Sequence, residues 1–533
     1  YDSSNRRIRA QYPDAAVDWI YDTSGRLGQV SDSTSGTIEF AYDSLNRLVR
    51  QATAQGVLSY EYDVSGRRTG TTVNGQDPVS YQYDGDSRLV QVAQGSSSVG
   101  IGYDATGRRT SLAYSNGTNT AYDYDTGSRL TDITHSGPSG VIERLTYSHD
   151  VIGNIMAVTR TSNDATRLPT SLQAEYDASN QQIRINSTVP NAVYDENGNL
   201  VSNTDSSGTT NYSWNARRQL TSISGLSVNA VFKYDPLGRR ILKTINGITT
   251  EFLYDGNDVI RENSGGSAIV SYLRSRKLDE PFIRKMQSES EFYHADPFGT
   301  VLALSDAGGA IKASYTYEPF GKAAVSGASS NSLRFTGRED DGTGLYYYRA
   351  RYYSAALHRF LTEDPMRFGG GDGNFYAYLN SDPLNASDPL GLFPECQTFW
   401  AGSDSVTDIS DQVQDTEVQF PLPRRTKPGW SPNPGDARNP RRVPSPTVIV
   451  EIWMAQLITQ HHTKITTTKD IAHFVDFCED TIDLPCGKKE KISFQSKYDQ
   501  VSNENRQVEE WSDTSFNWLY LLYELSLPGL PLP

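Results

Sequence analysis

A short motif, Tyr-Asp-x-x-(Gly/Asn/Ser)-Arg, recurs through the first half of the chain at a nearly constant spacing. Seven copies follow one another at steps of 20 or 21 residues, and they begin at Tyr1, Tyr21, Tyr42, Tyr62, Tyr83, Tyr103 and Tyr124. Looser copies continue the series at His149, Tyr176, Tyr194, Tyr212, Tyr234 and Tyr254. A period held over so many copies predicts a repeat architecture, which grows as one object instead of dividing into ordinary domains.

Each copy of the motif predicts a tight β-hairpin. A strand-forming run such as Thr37-Ile-Glu-Phe-Ala precedes the Tyr, and the Asp side chain caps the amides of a type I turn. The Gly, Asn or Ser three residues later tolerates the left-handed conformation that closes the turn, and Arg-Leu, as in Arg47-Leu48, begins the return strand. One hairpin cannot bury its own apolar face, so neighbouring hairpins are expected to pair into a continuous sheet.

Charge and cysteine usage limit the function of the repeats. The formal net charge is −15 and the pI is about 5.0, which argues against nucleic acid binding by the repeat surface. The three cysteines all follow residue 392, so disulfides cannot support the repeats. The chain contains no apolar run of about 18 residues, the length that a membrane-spanning helix needs.

Residues 333–392 end the repeat series with a different, tyrosine-rich composition. This stretch contains Phe335-Thr-Gly-Arg338, Gly344-Leu-Tyr-Tyr-Tyr-Arg-Ala-Arg-Tyr-Tyr353, Arg359-Phe-Leu361, Asp364-Pro365 and Asp388-Pro-Leu-Gly-Leu392. With the upstream repeats, these pieces resemble the RHS/YD-repeat proteins: bacterial RHS toxins, the C components of insecticidal Tc complexes and the shell of teneurins. The resemblance implies a mainly β fold, in which a spiralling sheet of hairpins forms a partial hollow shell that the RHS core closes.

The resemblance also implies a reaction. In this family the core is an intramolecular aspartyl protease that cuts just after the final Asp-Pro-x-Gly-Leu, and such enzymes need two carboxylates that share one proton. When the family motif is carried over to this sequence, the catalytic pair is Asp364 and Asp388, and the scissile bond is Leu392–Phe393. Arg359 is expected to tune the carboxylates, and Asp382 is a third candidate.

An alternative reading treats the Asp-Pro pairs as turn formers that only complete the fold. One departure from the family pattern favours this alternative. The family usually has glycine two residues after the first Asp-Pro, and this chain has Arg367 there.

The composition changes again after residue 392, where the Tyr-Asp motifs stop. The predicted division is a repeat shell, a core, a Pro-rich linker and a variable C-terminal domain, at residues 1–332, 333–392, 393–446 and 447–533. The tail is expected to be a small α+β or partly disordered region, with helices over 469–478 and 511–527 and a strand over 492–498.

In RHS proteins the position of this tail holds a variable effector, often a toxin. The residues with catalytic potential, as a general base and metal ligands of a nuclease, are His461, His462, His473 and Asp476. Their spacing matches no catalytic motif, and solvated polar residues would give the same pattern. A zinc site of His473, Cys478 and Cys486 fits no standard ligand set, so neither metal nor cofactor is expected.

Two functions follow as hypotheses. The first is a shell that encapsulates its own C-terminal domain as cargo and releases it by self-cleavage, with an immunity protein and a secretion-system or Tc-type partner. The second is a cell-surface structural or adhesive protein that contacts glycans or cell surfaces and is never cut. Either protein would be secreted or displayed on the surface. Because the chain begins within a repeat, we interpret it as an N-terminally truncated fragment of a longer protein.

Overall fold

The computed structural model describes residues 1–161, 172–367 and 373–392 with their side chains, and beyond residue 392 the backbone of seven strands. The chain divides into two compact units, Tyr1–Asp408 and Ile409–Pro533. The first unit contains the repeats and the core stretch.

The first repeats form one antiparallel sheet of 15 strands, in which each strand pairs with its neighbours in sequence. The strands are β1 (Arg9–Gln11), β2 (Ala16–Tyr21), β3 (Leu27–Asp32), β4 (Gly36–Tyr42), β5 (Leu48–Thr53), β6 (Gly56–Tyr62), β7 (Arg68–Val73), β8 (Val79–Tyr83), β9 (Leu89–Gln94), β10 (Ser97–Tyr103), β11 (Arg109–Tyr114), β12 (Asn119–Tyr124), β13 (Leu130–Gly137), β14 (Gly140–His149) and β15 (Ile155–Arg160). The motif tyrosine ends β2, β4, β6, β8, β10 and β12, and His149 ends β14, so the predicted hairpins and their edge-to-edge pairing are confirmed.

The turn that follows β4 shows why the motif has these residues. Oδ1 of Asp43 accepts the backbone N–H groups of Leu45 and Arg47, each at 2.9 Å, and Oδ2 accepts Nε of Arg47 at 2.7 Å. Asn46 takes the left-handed conformation, with φ at +64°. Asp therefore satisfies the turn amides and anchors the arginine that begins the return strand.

The same arginine connects one repeat to the next. Nη1 of Arg47 donates to the carbonyl of Asp63 at 3.0 Å, and its guanidinium lies 4.8 Å from the ring centroid of Tyr62. The Tyr62 hydroxyl in turn donates to the carbonyl of Leu48 at 2.7 Å. Equivalent arginine–tyrosine contacts recur at Arg26, Arg67, Arg88 and Arg108. Cation–π and hydrogen-bond contacts thus link successive hairpins along the sheet.

The later repeats form a second sheet of 14 strands with the same sequential order. Its strands are β18 (Ala192–Tyr194), β19 (Leu200–Asp205), β20 (Gly208–Trp214), β21 (Leu220–Ser224), β22 (Asn229–Tyr234), β23 (Arg240–Ile245), β24 (Ile248–Asp255), β25 (Asp258–Ser264), β26 (Ser267–Arg274), β27 (Pro281–Met286), β28 (Ser290–Ala295), β29 (Val301–Ser305), β30 (Ile311–Tyr317) and β31 (Ala323–Gly327). A separate hairpin of β16 (Ala174–Tyr176) and β17 (Gln182–Ile185) precedes it.

The two sheets share a buried interface. Leu89, Val92 and Val99 of the first sheet pack in one cluster with Leu273 and Phe282 of the second. Polar contacts join the same faces: the Tyr114 hydroxyl donates to the Tyr293 carbonyl at 3.0 Å, and Arg109 forms an ion pair with Glu280.

The core stretch folds onto the second sheet. It contains β32 (Glu339–Asp340), β33 (Tyr346–Tyr348), β34 (Arg351–Ser354) and β35 (Arg359–Phe360), which pair in that order, and 3-10 turns at Phe335–Gly337 and Leu379–Ser381. Two short strands, β36 (Ala386–Ser387) and β37 (Glu395–Cys396), pair antiparallel on either side of the expected cut.

The tail unit contributes β38 (Val413–Val418), β39 (Leu457–Thr466), β40 (Asp480–Asp483), β41 (Lys489–Ile492), β42 (Val501–Asn503) and β43 (Arg506–Phe516). The helix predicted over 511–527 is wrong for residues 511–516, which extend β43 through its backbone pairing with β39. The helix predicted over 469–478 lies outside the described residues, as do residues 493–498 of the predicted strand. The mainly β fold is confirmed by both sheets.

Candidate active site

The hairpin of β33 and β34 determines where Arg351 lies. Its register pairs Tyr346 with Tyr353, Tyr347 with Tyr352 and Tyr348 with Arg351. Side chains alternate between the two faces of a strand, so Tyr347 and Tyr352 pack into a cluster with the second sheet. Arg351 lies on the other face, with Tyr348.

Arg351 pairs with both predicted aspartates through one nitrogen. Its Nη2 lies 2.8 Å from Oδ2 of Asp364 and 3.2 Å from Oδ2 of Asp388. The guanidinium carbon lies 3.6 Å from the ring centroid of Phe360, and Nε donates to the carbonyl of Gly391 at 2.5 Å. The structure therefore brings Asp364 and Asp388 together on one nitrogen of a buried arginine, which pairs with both carboxylates.

Asp364 is a buried carboxyl held in a turn. Its Oδ1 accepts the backbone N–H of Met366 at 2.7 Å, and its own N–H donates to the carbonyl of Phe375 at 2.8 Å. Burial raises the pKa of Asp364 to about 6, and this effect outweighs the opposing influence of the Arg351 charge. The protonated form of Asp364 is therefore substantially populated near pH 6.

Asp388 lies four residues before Leu392, the last residue before the expected cut, and is 2% exposed. Its Oδ1 accepts the backbone N–H of Leu392 at 3.0 Å. Gly391 makes this return possible, because its φ is +69° and a Cβ there would collide with the Tyr348 carbonyl oxygen. The Leu390 carbonyl is also fixed, since it accepts the Ala350 N–H at 3.1 Å.

A cavity of about 330 Å³ adjoins this segment. Ser387, Asp388 and Pro389 form part of its wall, with Tyr122 and His135 among the other lining residues. A polar space of this size has room for several water molecules. The cavity thus offers a route by which water could reach Asp388.

The arrangement suits general acid–base chemistry on a peptide bond. Two buried carboxyl groups face one cation, and the raised pKa of Asp364 separates its protonation from that of an ordinary aspartate. In such a pair, one carboxyl group can hold a proton while the other, ionised carboxylate accepts a proton from water.

The other predicted site residues lie elsewhere. Nη1 of Arg359 donates to the Asn180 carbonyl at 2.8 Å, and its guanidinium lies 5.0 Å from the ring centroids of both Tyr176 and Tyr376. The arginine that pairs with the aspartates is Arg351, which the sequence analysis did not single out. Asp382 is exposed and accepts both of its hydrogen bonds from Asn385, at 3.1 and 3.0 Å, as in a turn.

The tail candidates are not assembled into a site by the described backbone. His461 and His462 lie in β39, where they pair with Ser512 and Trp511 of β43. His473 and Asp476 lie outside the described residues. Within residues 1–161, 172–367 and 373–392, no group of three or more His, Cys, Asp and Glu side chains is placed to hold a metal ion. None of the described helical segments is long and apolar enough to cross a membrane.

Comparison with known proteins points to one family. A model of the teneurin YD-shell matches residues 113–383, and a model of the RHS repeat matches residues 42–77. The crystal structure of TcdB2-TccC3 has a similar fold, with a TM-score of 0.53 and 16% identity over 71% of this chain and 27% of that chain.

Two relatives, a nuclease and a toxin, are similar in sequence. The tRNA3(Ser)-specific nuclease WapA of Bacillus spizizenii is 32% identical over 260 residues, which are 46% of this chain and 11% of that protein. The double-stranded DNA deaminase toxin A of Burkholderia cenocepacia is 27% identical over 241 residues, 37% of this chain and 16% of that protein. The matched region is thus a small part of each relative. Because the YD-shell model matches half of the chain, this protein belongs to the teneurin YD-shell family.

Proposed function

We propose that this chain is the closing part of a toxin shell that cuts itself after Leu392 and so frees residues 393–533 as an effector. The observation that carries the proposal is the buried contact of Asp364 and Asp388 with Arg351, together with the hydrogen bond from Leu392 to Asp388. A turn-forming role alone would not require both carboxylates to be buried on one guanidinium.

In the proposed reaction, Asp388 takes a proton from a water molecule whose oxygen attacks the carbonyl carbon of Leu392. Asp364 gives its proton to the carbonyl oxygen, and the resulting tetrahedral intermediate breaks at the carbon–nitrogen bond. The Phe393 nitrogen gains the proton that Asp388 took from water and leaves as an amine, Asp364 recovers its proton as the carbonyl re-forms, and Leu392 becomes the new carboxyl terminus. Arg351 orients both carboxylates and limits their mutual repulsion.

The site needs to act only once, on a bond tethered beside it. Tethering supplies a high effective molarity, so a modest rate enhancement is enough. The pairing of β36 with β37 would hold the two new ends together after the cut. We therefore expect the tail to stay associated until the shell unfolds.

Encapsulation of the tail and export of the whole protein belong to the same proposal. Support comes from relatives that are themselves toxins, such as the toxin protein Tse5 of Pseudomonas aeruginosa, and from the likeness to TcdB2-TccC3. A secretion system or Tc-type partner would then deliver the protein, and an immunity protein would protect the producing cell. The target of residues 393–533 would be found by expressing this segment inside bacterial and eukaryotic cells.

A second candidate is a structural or adhesive surface protein in which the core only closes the fold. The turn geometry of Asp364 and Asp382 favours this reading, since each carboxylate accepts hydrogen bonds within its own turn. Under this reading the chain stays intact and binds glycans or cell surfaces.

Intact mass spectrometry of the purified, denatured chain separates the two candidates. Self-cleavage gives fragments of residues 1–392 and 393–533, and Asp388→Asn or Asp364→Asn restores a single species. Asp382→Asn is the matched control, because this exposed carboxylate should be dispensable for the cut. A single uncut species in the parent chain would favour the structural role.

A further inference from the structure

Two arginines of the core converge on one backbone carbonyl beside the expected cut. Nη1 of Arg338 donates to the Pro389 carbonyl at 3.0 Å, and Nη1 of Arg349 donates to the same oxygen. Pro389 directly follows Asp388, so these bonds fix the start of the segment that runs to Leu392. Both arginines come from the core stretch itself.

An aspartate of the repeat sheet holds both arginines. Asp279, in the loop between β26 and β27, accepts Nη1 of Arg349 at 3.0 Å and Nη2 at 2.5 Å, and it forms an ion pair with Arg338. Nε of Arg349 also donates to the Asn257 carbonyl at 3.1 Å. Asp258, which accepts the backbone N–H of Asp279 at 3.2 Å, lies 3.5 Å from Nη2 of Arg349.

This arrangement depends on the aspartate for electrostatic reasons. Burial, and then the neighbouring charge of Arg349, lower the pKa of Arg338 to about 9, so the two cations are costly to hold together. The Asp279 carboxylate contacts both arginines, and its negative charge offsets this cost. Removal of one member of a buried charge group leaves the others uncompensated, which is strongly unfavourable. Without Asp279, the two guanidinium groups are expected to separate and to release Pro389.

We propose that Asp279 is a positioning residue for self-cleavage, which couples docking of the β26–β27 hairpin to alignment of the Asp388–Leu392 segment. This inference rests on the proposed function. It means that the core becomes competent to cut only when the repeat sheet has formed beside it, so that the tail is not released before the fold is complete. Asp279 and Asp388 also line the same cavity.

The test starts from uncut full-length chains that are collected unfolded, as inclusion bodies in denaturant. After dilution into buffer, intact mass gives the cleavage rate of each variant. Asp279→Asn should slow cleavage by about 100-fold, the scale expected when a reacting group is misplaced by about 1 Å. Glu289→Gln is the control. It changes an exposed carboxylate in the loop between β27 and β28, which pairs with Lys312, and it should leave the rate within about twofold of the parent.

Further readouts distinguish positioning from a general loss of stability. Asp279→Glu keeps the carboxylate, so it should cleave faster than Asp279→Asn. If the defect were only structural, the cleavage rate of each variant would follow its unfolding midpoint in urea instead. If Asp279→Asn fails to fold, Arg349→Lys replaces it, because lysine keeps the charge but loses the two-pronged contact. A parent-like rate in the folded variants overturns the role of Asp279. An uncut parent chain overturns the proposed function itself.

Discussion

Asp388 accepts the backbone N–H of Leu392 through Oδ1 at 3.0 Å. This bond folds the Asp-Pro-Leu-Gly-Leu segment back on its own carboxylate, so the proposed catalytic group and the residue before the proposed cut are fixed in one small loop. Because Arg351 binds the other carboxylate oxygen at 3.2 Å, the orientation of Asp388 is determined from two sides. Such preorganisation is what a tethered reaction needs.

We predict that self-cleavage slows as the pH rises. Burial raises the pKa of Asp364 to about 6, so its acid form, the proposed proton donor, is lost above that pH. The rate should fall by about twofold from pH 5 to 6 and then by up to about tenfold per pH unit towards pH 8. Time courses by intact mass at each pH measure this. A profile that is flat across this range in the parent chain would contradict the acid role of Asp364.

Arg367→Gly should stabilise the protein. Arg367 has a φ of +50°, a left-handed conformation that costs a non-glycine residue about 1 kcal/mol. Its ion pair with Glu363 is long, at 3.9 Å, and the arginine side chain is half exposed, so the pair contributes little to offset this cost. We expect the free energy of unfolding in urea to rise by about 0.5–1 kcal/mol. Arg367→Ala, which keeps the strain, should give no gain, and an equal gain from both variants would contradict this explanation.

Gly391→Ala should abolish most of the cleavage. The new Cβ would collide with the Tyr348 carbonyl oxygen and push the segment away from Asp388. A displacement of this kind should lower the cleavage rate by about 100-fold. Gly342→Ala is the control, because Gly342 has a similar φ of +71° but nothing lies within 4 Å of its Cβ position. If both variants cut equally fast, the close approach at Gly391 is not important for the reaction.

The arginines between repeats should not tolerate lysine. Arg47→Lys loses the two-pronged contact with Asp43 and the flat stacking on Tyr62, and we expect the free energy of unfolding to fall by about 1–2 kcal/mol. Arg50→Lys changes a more exposed arginine that lies 3.7 Å from Glu39, and it should cost less than about 0.5 kcal/mol. Urea unfolding of both variants measures the difference. Similar losses of unfolding free energy would show that the contacts between repeats do not contribute to stability beyond those of an ordinary surface ion pair.

Acid should weaken the interface between the two sheets at His135 and His294. Their ring centroids are 5.4 Å apart, and the rings bond to Thr120 and Ser305. Burial lowers the pKa of His135 to about 3, and burial and then the charge of His135 lower that of His294. The unfolded chain takes up these protons near pH 6.5, so acid favours unfolding, by about 1.4 kcal/mol per pH unit for each histidine below that pH.

Urea unfolding at about pH 7 and pH 5 measures this loss of stability. The double variant His135→Gln with His294→Gln removes both titrating rings but keeps a hydrogen-bonding group at each position. It should lose less stability than the parent between the two pH values. An unchanged difference would show that other groups cause the acid sensitivity.

The sequence by itself determined the repeat part of this protein. The turns, the left-handed positions such as Asn46 and the order of the hairpins could be predicted because the contacts involved are local: Asp43 and Arg47 are four residues apart, and each strand pairs with the next. The two aspartates could be named from a resemblance, since their motif is also local. The Trp511–Phe516 segment was mispredicted as helix because its pattern does not show that β39 lies beside it.

Only the tertiary structure decided which groups surround the aspartates. The β33–β34 register places Arg351 and Tyr348 on one face, but the sequence does not say which element that face meets. The packing of the core brought Arg351, and not Arg359, between Asp364 and Asp388, and it connected Asp279 of the repeat sheet to the Pro389 carbonyl through Arg349. These contacts join residues far apart in the chain, and they form because burying the aromatic core on the second sheet brings those segments together.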